Sequence, residues 1–186
     1  MKMNGFEKRF VNGARHGEQV AARAERLVGE ADPQPGERLL DVGCGTGAAT
    51  LRLADSFGLD VVGVDVDPEQ IEAARAAARG LPSARFIEGD AARLPFADGE
   101  FDLVFSSKTT HHVHDWQRAL EEMIRVLKPG GRLCYSDFVA PAGRRLPTRG
   151  ALDRIAEAGR LETVRAAGSP LTCTRVYRVP DEAAVP

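Results

Sequence analysis

The spacing of apolar residues changes period repeatedly along this chain, and each change marks an element. Leu39-Leu40-Asp41-Val42, Val61-Val62-Gly63-Val64, Arg85-Phe86-Ile87 and Phe101-Asp102-Leu103-Val104-Phe105 are short and apolar at most positions, as buried parallel strands are. Between them the period lengthens to that of a helix. Val20, Ala21, Ala24, Leu27 and Val28 predict a helix over 14–30. Ala48 to Phe57 predicts a second, closed by Gly58. Asp67-Pro68-Glu69-Gln70 predicts a third, with Asp67 as N-cap, Pro68 at the first helical position and Gln70 closing a capping box; it should run to Arg79 and stop at Gly80. Trp116 to Leu127 predicts a helix with Leu120, Met123, Ile124 and Leu127 inward. Pro129-Gly130-Gly131 should turn into a strand over 132–138. Gly150 to Ala158 predicts a last helix. Leu161 to Arg165 and Cys173 to Val179 read as strands, with a turn at Gly168-Ser169-Pro170. This alternation predicts an α/β fold, with a mostly parallel sheet and helices on both faces.

The chemistry concentrates where strands end. Gly43, Gly45 and Gly47 alternate directly after the first strand and before the first core helix. Such a turn is expected to aim free backbone N–H groups and a positive helix end at one small volume, suited to an anion or another acceptor-rich group. Asp65 ends the next strand about 20 residues on, where a Rossmann-like unit places the acid that holds a ribose diol. The turn is G-x-G-x-G, not the G-x-G-x-x-G of a pyrophosphate binder, which disfavours an NAD(P) domain.

Asp41 to Gly47 resembles the first motif of the class I methyltransferases that use S-adenosyl-L-methionine. Gly63-Val64-Asp65, Glu88-Gly89-Asp90-Ala91 and Phe101-Asp102-Leu103-Val104 resemble their second to fourth motifs. Arg125-Val126-Leu127-Lys128-Pro129-Gly130-Gly131 is similar to the turn before their fifth strand, and the methyltransferase type 11 group is the nearest flavour. The resemblance covers residues 39–137. It implies a Rossmann-like, doubly wound, seven-stranded sheet whose C-terminal strand is antiparallel. It also implies cofactor roles. Gly43, Cys44, Gly45 and Gly47 would lie along the methionyl part, and Asp41 would reach the amino group through water. Asp65 and Val66 would hold the ribose end, Asp90 and the Ala91 N–H the adenine, and the Ser106 carbonyl would face the ammonium or methyl region.

Ser106 to Trp116 is rich in further candidates. Three histidines there lack the spacing of a metal site, and the adjacent His111 and His112 are expected to diverge. A histidine could be a general base for a hydroxyl, phenol or thiol acceptor. His111 and Lys108 are the candidates for facing the acceptor, whereas His112 is expected to pack under the fifth-strand turn, as its counterpart does in similar enzymes. Ser106-Ser107-Lys108-Thr109 stands where many nitrogen-methylating enzymes carry Asn/Asp-Pro-Pro-Tyr/Phe, and Cys44, Cys134 and Cys173 are not placed for arsenic methylation.

Composition narrows partners more than chemistry. The 186 residues are 43% hydrophobic and 28% charged, with a net charge of −2, as in an ordinary soluble domain with no overall basic footprint for nucleic acid. RNA methylation would need a basic stripe that sequence does not locate. No apolar run approaches a membrane span, no signal peptide opens the chain, and three cysteines without metal spacing read as reduced thiols. The expectation is one cytoplasmic domain over 1–186: an N-terminal arm and helix over 1–30, a cofactor core over 37–137, and a C-terminal helix and strand hairpin over 150–179. It would be a monomer or homodimer acting on a small-molecule methyl acceptor. Only 139–149 is available as a lid, so the acceptor site is expected to be open and completed by the N-terminal arm, a second subunit or a partner. That arrangement keeps alive a non-catalytic S-adenosylmethionine-binding module that regulates another protein.

Overall fold

The computed structural model describes residues 14–139, 147–159 and 161–181. The N-terminal arm, in which Phe6 and Phe10 are spaced for one helix face, and most of the 139–149 segment lie outside these. The elements are α1 (Ala14–Gly29), β1 (Arg38–Val42), α2 (Ala48–Phe57), β2 (Asp60–Asp65), α3 (Pro68–Ala77), β3 (Ala84–Glu88), β4 (Phe101–Ser107), α4 (Trp116–Arg125), β5 (Leu127–Phe138), α5 (Arg149–Ala158), β6 (Glu162–Ser169) and β7 (Thr172–Arg178). A single 3-10 turn, Thr110–His112, joins β4 to α4.

The seven strands form one sheet in the order β3-β2-β1-β4-β5-β7-β6. All pairings from β3 to β5 are parallel, and β7 runs antiparallel to both β5 and β6. The order reverses between β1 and β4, so a crevice opens beyond the carboxyl ends of those strands. Alternate strand residues face opposite layers. Leu39, Val61 and Leu103 pack against Leu27, Val28 and Leu53 from α1 and α2. Leu40, Val62 and Val104 share a core with Leu120, Met123 and Leu152 from α4 and α5.

Several boundaries differ from the sequence reading for local reasons. Asp67 caps α3 by accepting from Glu69 N at 3.1 Å, but the capping box does not form. The Asp67 N–H instead donates to Asp65 Oδ1 at 3.0 Å, and Gln70 is buried with no partner on its Oε1. Leu127 heads β5 and does not end α4. The Pro129-Gly130-Gly131 turn lies within β5 as an irregularity, where the register jumps from Phe101↔Leu127 to Leu103↔Arg132. β6 continues to Ser169, which moves the hairpin turn to Pro170-Leu171. Arg149 begins α5 and donates to the carbonyls of Ser169 and Thr172 at that turn.

Ion pairs close the amino ends of the strands. Arg132 donates to both Glu37 oxygens, at 3.0 and 2.6 Å, and to the Ala31 carbonyl at 3.1 Å. It thereby pins the connection between α1 and β1. Burial alone would push the Glu37 carboxyl up, but its bonds to Arg132 and Gln34 N hold it below the usual range. Replacing Arg132 with Met should lower stability by about 2–4 kcal/mol, since it leaves a partly buried carboxylate unpaired. Glu37 has a lowered folded pKa, so its contribution is present above the ordinary carboxylate pKa and lost as pH falls below that through the lowered folded value. Urea titrations of both proteins should therefore diverge at pH 7 and converge in acid.

Candidate functional site

β1 leads directly into the glycine turn, where Gly43, Gly45 and Gly47 have φ of 81°, 53° and 82°. A Cβ on Gly43 would collide with the Thr109 side chain, whereas a Cβ on Gly45 would meet nothing nearer than Gln70 Oε1 at 3.8 Å. Gly43 is thus required by packing, and Gly45 faces open space. The expected free N–H groups are largely absent. Gly43 N and Cys44 N both donate to the Val64 carbonyl, at 2.8 and 3.0 Å, and Gly47 N donates to the Cys44 carbonyl at 3.0 Å. Gly45 N donates to Asp65 Oδ2 at 2.9 Å. The turn is laced to the end of β2, so it is not a nest for an anion.

Its electrostatics agree. Asp41, buried at the end of β1, accepts from Thr50 Oγ1 at 2.6 Å. Burial chiefly, with the Asp65 charge, pushes its pKa up to about 7 against the lowering effect of Thr50. Cys44 lies beneath the turn among Ile71, Ala74 and Phe86. Burial first, then Asp41 and Asp65, raise its thiol well above the ordinary range. Two carboxylates flank the turn, which favours a cationic ligand and disfavours a pyrophosphate.

The remaining cofactor candidates gather at neighbouring strand ends. Val66 follows Asp65 with its apolar side chain 52% exposed. Gly89 N donates to the Asp65 carbonyl at 3.0 Å, which brings Asp90 and Ala91 alongside. Asp90 is exposed and accepts from Ala92 N at 2.9 Å, while Ala91 is buried. Ser106 is fully buried, and its Oγ donates to the Val42 carbonyl at 3.1 Å. The ends of β1 to β4 therefore bring these residues together.

The second cluster contains a residue the sequence reading missed. Asp137, near the end of β5, accepts His111 Nδ1 at 2.6 Å on Oδ1 and the Phe138 N–H at 2.7 Å on the same oxygen. Its Oδ2 accepts from Thr110 N and Thr110 Oγ1, both at 2.7 Å. Burial pushes the Asp137 carboxyl up, but the bonds and charge of His111, the Thr110 hydroxyl and the Phe138 N–H outweigh this and hold it below its usual range. Asp137 carried the signal that singled out Asp65: an acid near the carboxyl end of a predicted strand.

Two expectations about the histidines need correction. His112 is exposed and does not pack under the fifth-strand turn. Its ring centroid lies 3.9 Å from that of His111, so the two rings do not diverge. The 3-10 turn causes this, since it tightens the chain through Thr110–His112. Lys108 is exposed, with φ of 55°, and its Nζ sits 5.5 Å from the centroid of the Phe138 ring. His111 meets that ring edge-on at 5.1 Å. Among the described residues, no group of three or more His, Cys, Asp or Glu is arranged to hold a metal ion.

Residues 40–135 match the family described as "Methyltransferase domain". The chain belongs to this family. Methyltransferases with curated functions align with parts of it. An O-methyltransferase (cnsE) of Penicillium expansum is 39% identical over 127 residues, 66% of this chain and 46% of that protein. A demethylmenaquinone methyltransferase of Beutenbergia cavernae is 44% identical over 108 residues, 58% and 43% respectively. A 27-O-demethylrifamycin SV methyltransferase of Amycolatopsis mediterranei is 36% identical over 132 residues, 68% and 48% respectively. The chain spans a little under half the length of these three relatives. Among solved structures, an S-adenosylmethionine-dependent methyltransferase of Aquifex aeolicus superposes with a TM-score of 0.77 at 19% identity, covering 96% of this chain and all of that one. The [4+2]-cyclase SpnF shares the fold equally, at 0.77 and 23% identity, over 87% of this chain and 81% of that one.

In this methyltransferase-family chain, Gly43→Ala should be far more destabilising than Gly45→Ala. The second variant costs about 1–2 kcal/mol for positive φ alone, whereas the first adds the overlap with Thr109. Urea midpoints test this contrast. Asp41 has a raised folded pKa, so its contribution to stability is full below the unfolded value and lost as pH rises through about 7. Asp41→Asn should therefore gain on the wild type between pH 4 and 8, reaching on the order of 4 kcal/mol.

Proposed function

We propose that this protein is an S-adenosyl-L-methionine-dependent methyltransferase that methylates a hydroxyl of a small-molecule acceptor. The observation that carries the reading is the placement of the His111–Asp137 pair at the β4–β5 ends, beside a glycine turn tied to Asp65. The residues present fit this cofactor. Asp65 spends one acceptor site per oxygen on backbone N–H groups, which leaves capacity for both ribose hydroxyls. Exposed Val66 offers an apolar surface beside it, and Asp90 and the Ala91 N–H suit the adenine. Gly43, Cys44, Gly45 and Gly47 would line the methionyl part. Asp41 supplies negative charge for its amino group, as does the Ser106 carbonyl. When bound, S-adenosylmethionine supplies an electrophilic methyl group.

The chain's own residues would do the rest. An ionised carboxylate only accepts hydrogen bonds, so His111 Nδ1 carries a proton toward Asp137, and Nε2 is left as an acceptor. Nε2 would take the acceptor's hydroxyl proton as the new carbon–oxygen bond forms, and Asp137 would stabilise the imidazolium. Phe138, 40% exposed, offers a flat apolar surface for the acceptor, and Lys108 a cation at its margin. Lys108 holds its position through a strained backbone, which is common at binding sites.

We further propose that 1–186 works as one unit, a monomer or homodimer in the cytoplasm. Three buried free cysteines support a reducing compartment. Among the described residues, no helix is long and apolar enough to cross a membrane.

Calorimetric titration with S-adenosylhomocysteine, followed by a panel of phenols, enols and sugars with the methylated cofactor, tests the reading. Binding should weaken by about 1.5–3 kcal/mol in Asp65→Ala with the fold intact. His111→Ala should bind as the wild type does but lose turnover by roughly 10²–10⁴-fold. No binding at millimolar concentration would overturn the cofactor assignment. Binding with no product across the panel would favour the non-catalytic module.

A further inference from the structure

Behind Asp137 lie two hydroxyls that take no part in cofactor binding or proton transfer. Thr110 and Tyr135 are both fully buried, and their oxygens are 2.6 Å apart. Distance alone leaves the donor undefined, but the neighbour settles it. Thr110 Oγ1 also lies 2.7 Å from Asp137 Oδ2, and the ionised carboxylate can only accept. The one hydroxyl proton of Thr110 is committed to Asp137, so Tyr135 must donate to Thr110. The result is a directed chain: Tyr135 O–H to Thr110 Oγ1, Thr110 O–H to Asp137 Oδ2, and His111 Nδ1–H to Asp137 Oδ1 from the other side. Burial above all keeps the Tyr135 phenol far above its ordinary pKa, so its proton stays in the chain.

Two polar side chains in an apolar core need a reason, because each unpaired hydroxyl there costs free energy. Tyr135 packs among Leu120, Leu133 and Leu152, with Tyr177 beside it. A phenylalanine in place of Tyr135 and a valine in place of Thr110 would fill the same space. We propose that Tyr135 and Thr110 are positioning residues that hold Asp137 in place and draw part of its charge away from His111. They thereby set how readily the imidazole takes a proton. The functional meaning rests on the base reading above, but the electrostatic claim does not.

The imidazole faces Asp137 on one side, the His112 ring on another and Phe138 on a third, with Lys108 beyond Phe138. Among the described residues, Tyr135 and Cys173 are further titratable groups that feel Asp137, and Tyr177 acts on Tyr135. The test is an NMR titration of the His111 ring nitrogens in the full chain, without cofactor or acceptor, in wild type, Thr110→Val, Tyr135→Phe, the double variant and Thr110→Ser.

Losing the Thr110 hydroxyl leaves more carboxylate charge on the imidazole. The His111 midpoint should then rise by roughly 0.5 pH unit in Thr110→Val and by a smaller amount in Tyr135→Phe. Thr110→Ser should restore the wild-type midpoint. Once Thr110→Val is in place, adding Tyr135→Phe should have a much smaller effect than it has alone, since the hydroxyl that relays the phenol to Asp137 is gone. An unchanged or lowered midpoint in Thr110→Val overturns the proposal, as does an additive effect of Tyr135→Phe in the double variant. If Thr110→Val does not fold, the Tyr135→Phe and Thr110→Ser titrations decide alone: equal midpoints in wild type and Tyr135→Phe overturn it. Because no turnover enters, failure here leaves the methyltransferase reading standing, and failure to bind S-adenosylhomocysteine leaves this result standing.

Discussion

Three hydrogen bonds fasten the glycine turn to the end of β2: two from Gly43 and Cys44 to the Val64 carbonyl, and one from Gly45 to the Asp65 carboxylate. Everything at the upper rim of the sheet is referenced to this lacing. It fixes Asp65 against the turn, and Asp65 in turn satisfies the Asp67 N–H at the start of α3. Thr109 fills the space above Gly43 and bonds to the Val42 carbonyl at 3.1 Å, so the β4 end is registered to the same turn. The Asp65 side and the His111 side of the crevice therefore share one rigid frame.

Charge is distributed by role along the strands. At their amino ends, Arg132–Glu37, Arg38–Glu100 and Lys128–Asp102 are opposite-sign pairs that close the sheet. At their carboxyl ends, Asp41 and Asp65 have no basic partner among the bonds described and meet only hydroxyl or backbone donors. For Asp41, whose burial raises its carboxyl pKa, that condition is a cost to the fold that a cationic ligand would relieve. The lower rim holds the sheet together, and the upper rim keeps its acids available.

The core strands and the gathering of the glycine turn with Asp65 were legible because backbone geometry imposes them on the sequence. Glycines at alternate positions, an acid ending β2 and a Pro one residue after an Asp leave little freedom. The acceptor half was less legible because side-chain partners there come from distant segments. Thr110 and Tyr135 are 25 residues apart, and His111 and Asp137 are 26 apart. Only the parallel pairing of β4 with β5, with Ser107 opposite Ser136, makes them neighbours. The mistaken readings have the same origin. The Gln70 capping box was locally sound but lost its target N–H to Asp65, and the divergence of two adjacent histidines ignored the tight 3-10 turn. The turn's N–H groups face β2, whose Val64 carbonyl and Asp65 carboxylate accept them, and nothing within the turn's own residues reveals that acceptor.

β6 is exposed along its whole length on both faces, and among the described residues it pairs only with β7. An eight-residue open border of this kind normally templates further strands, and it is a route to fibrillar association. Here the register slips between Thr163 and Arg165, Arg165 carries a charge within the strand, and Gly168 has φ of 141°. Together these bend the border out of the flat geometry that stacking requires. The same irregularities that weaken the outermost strand thus act as a guard against unlimited polymerisation.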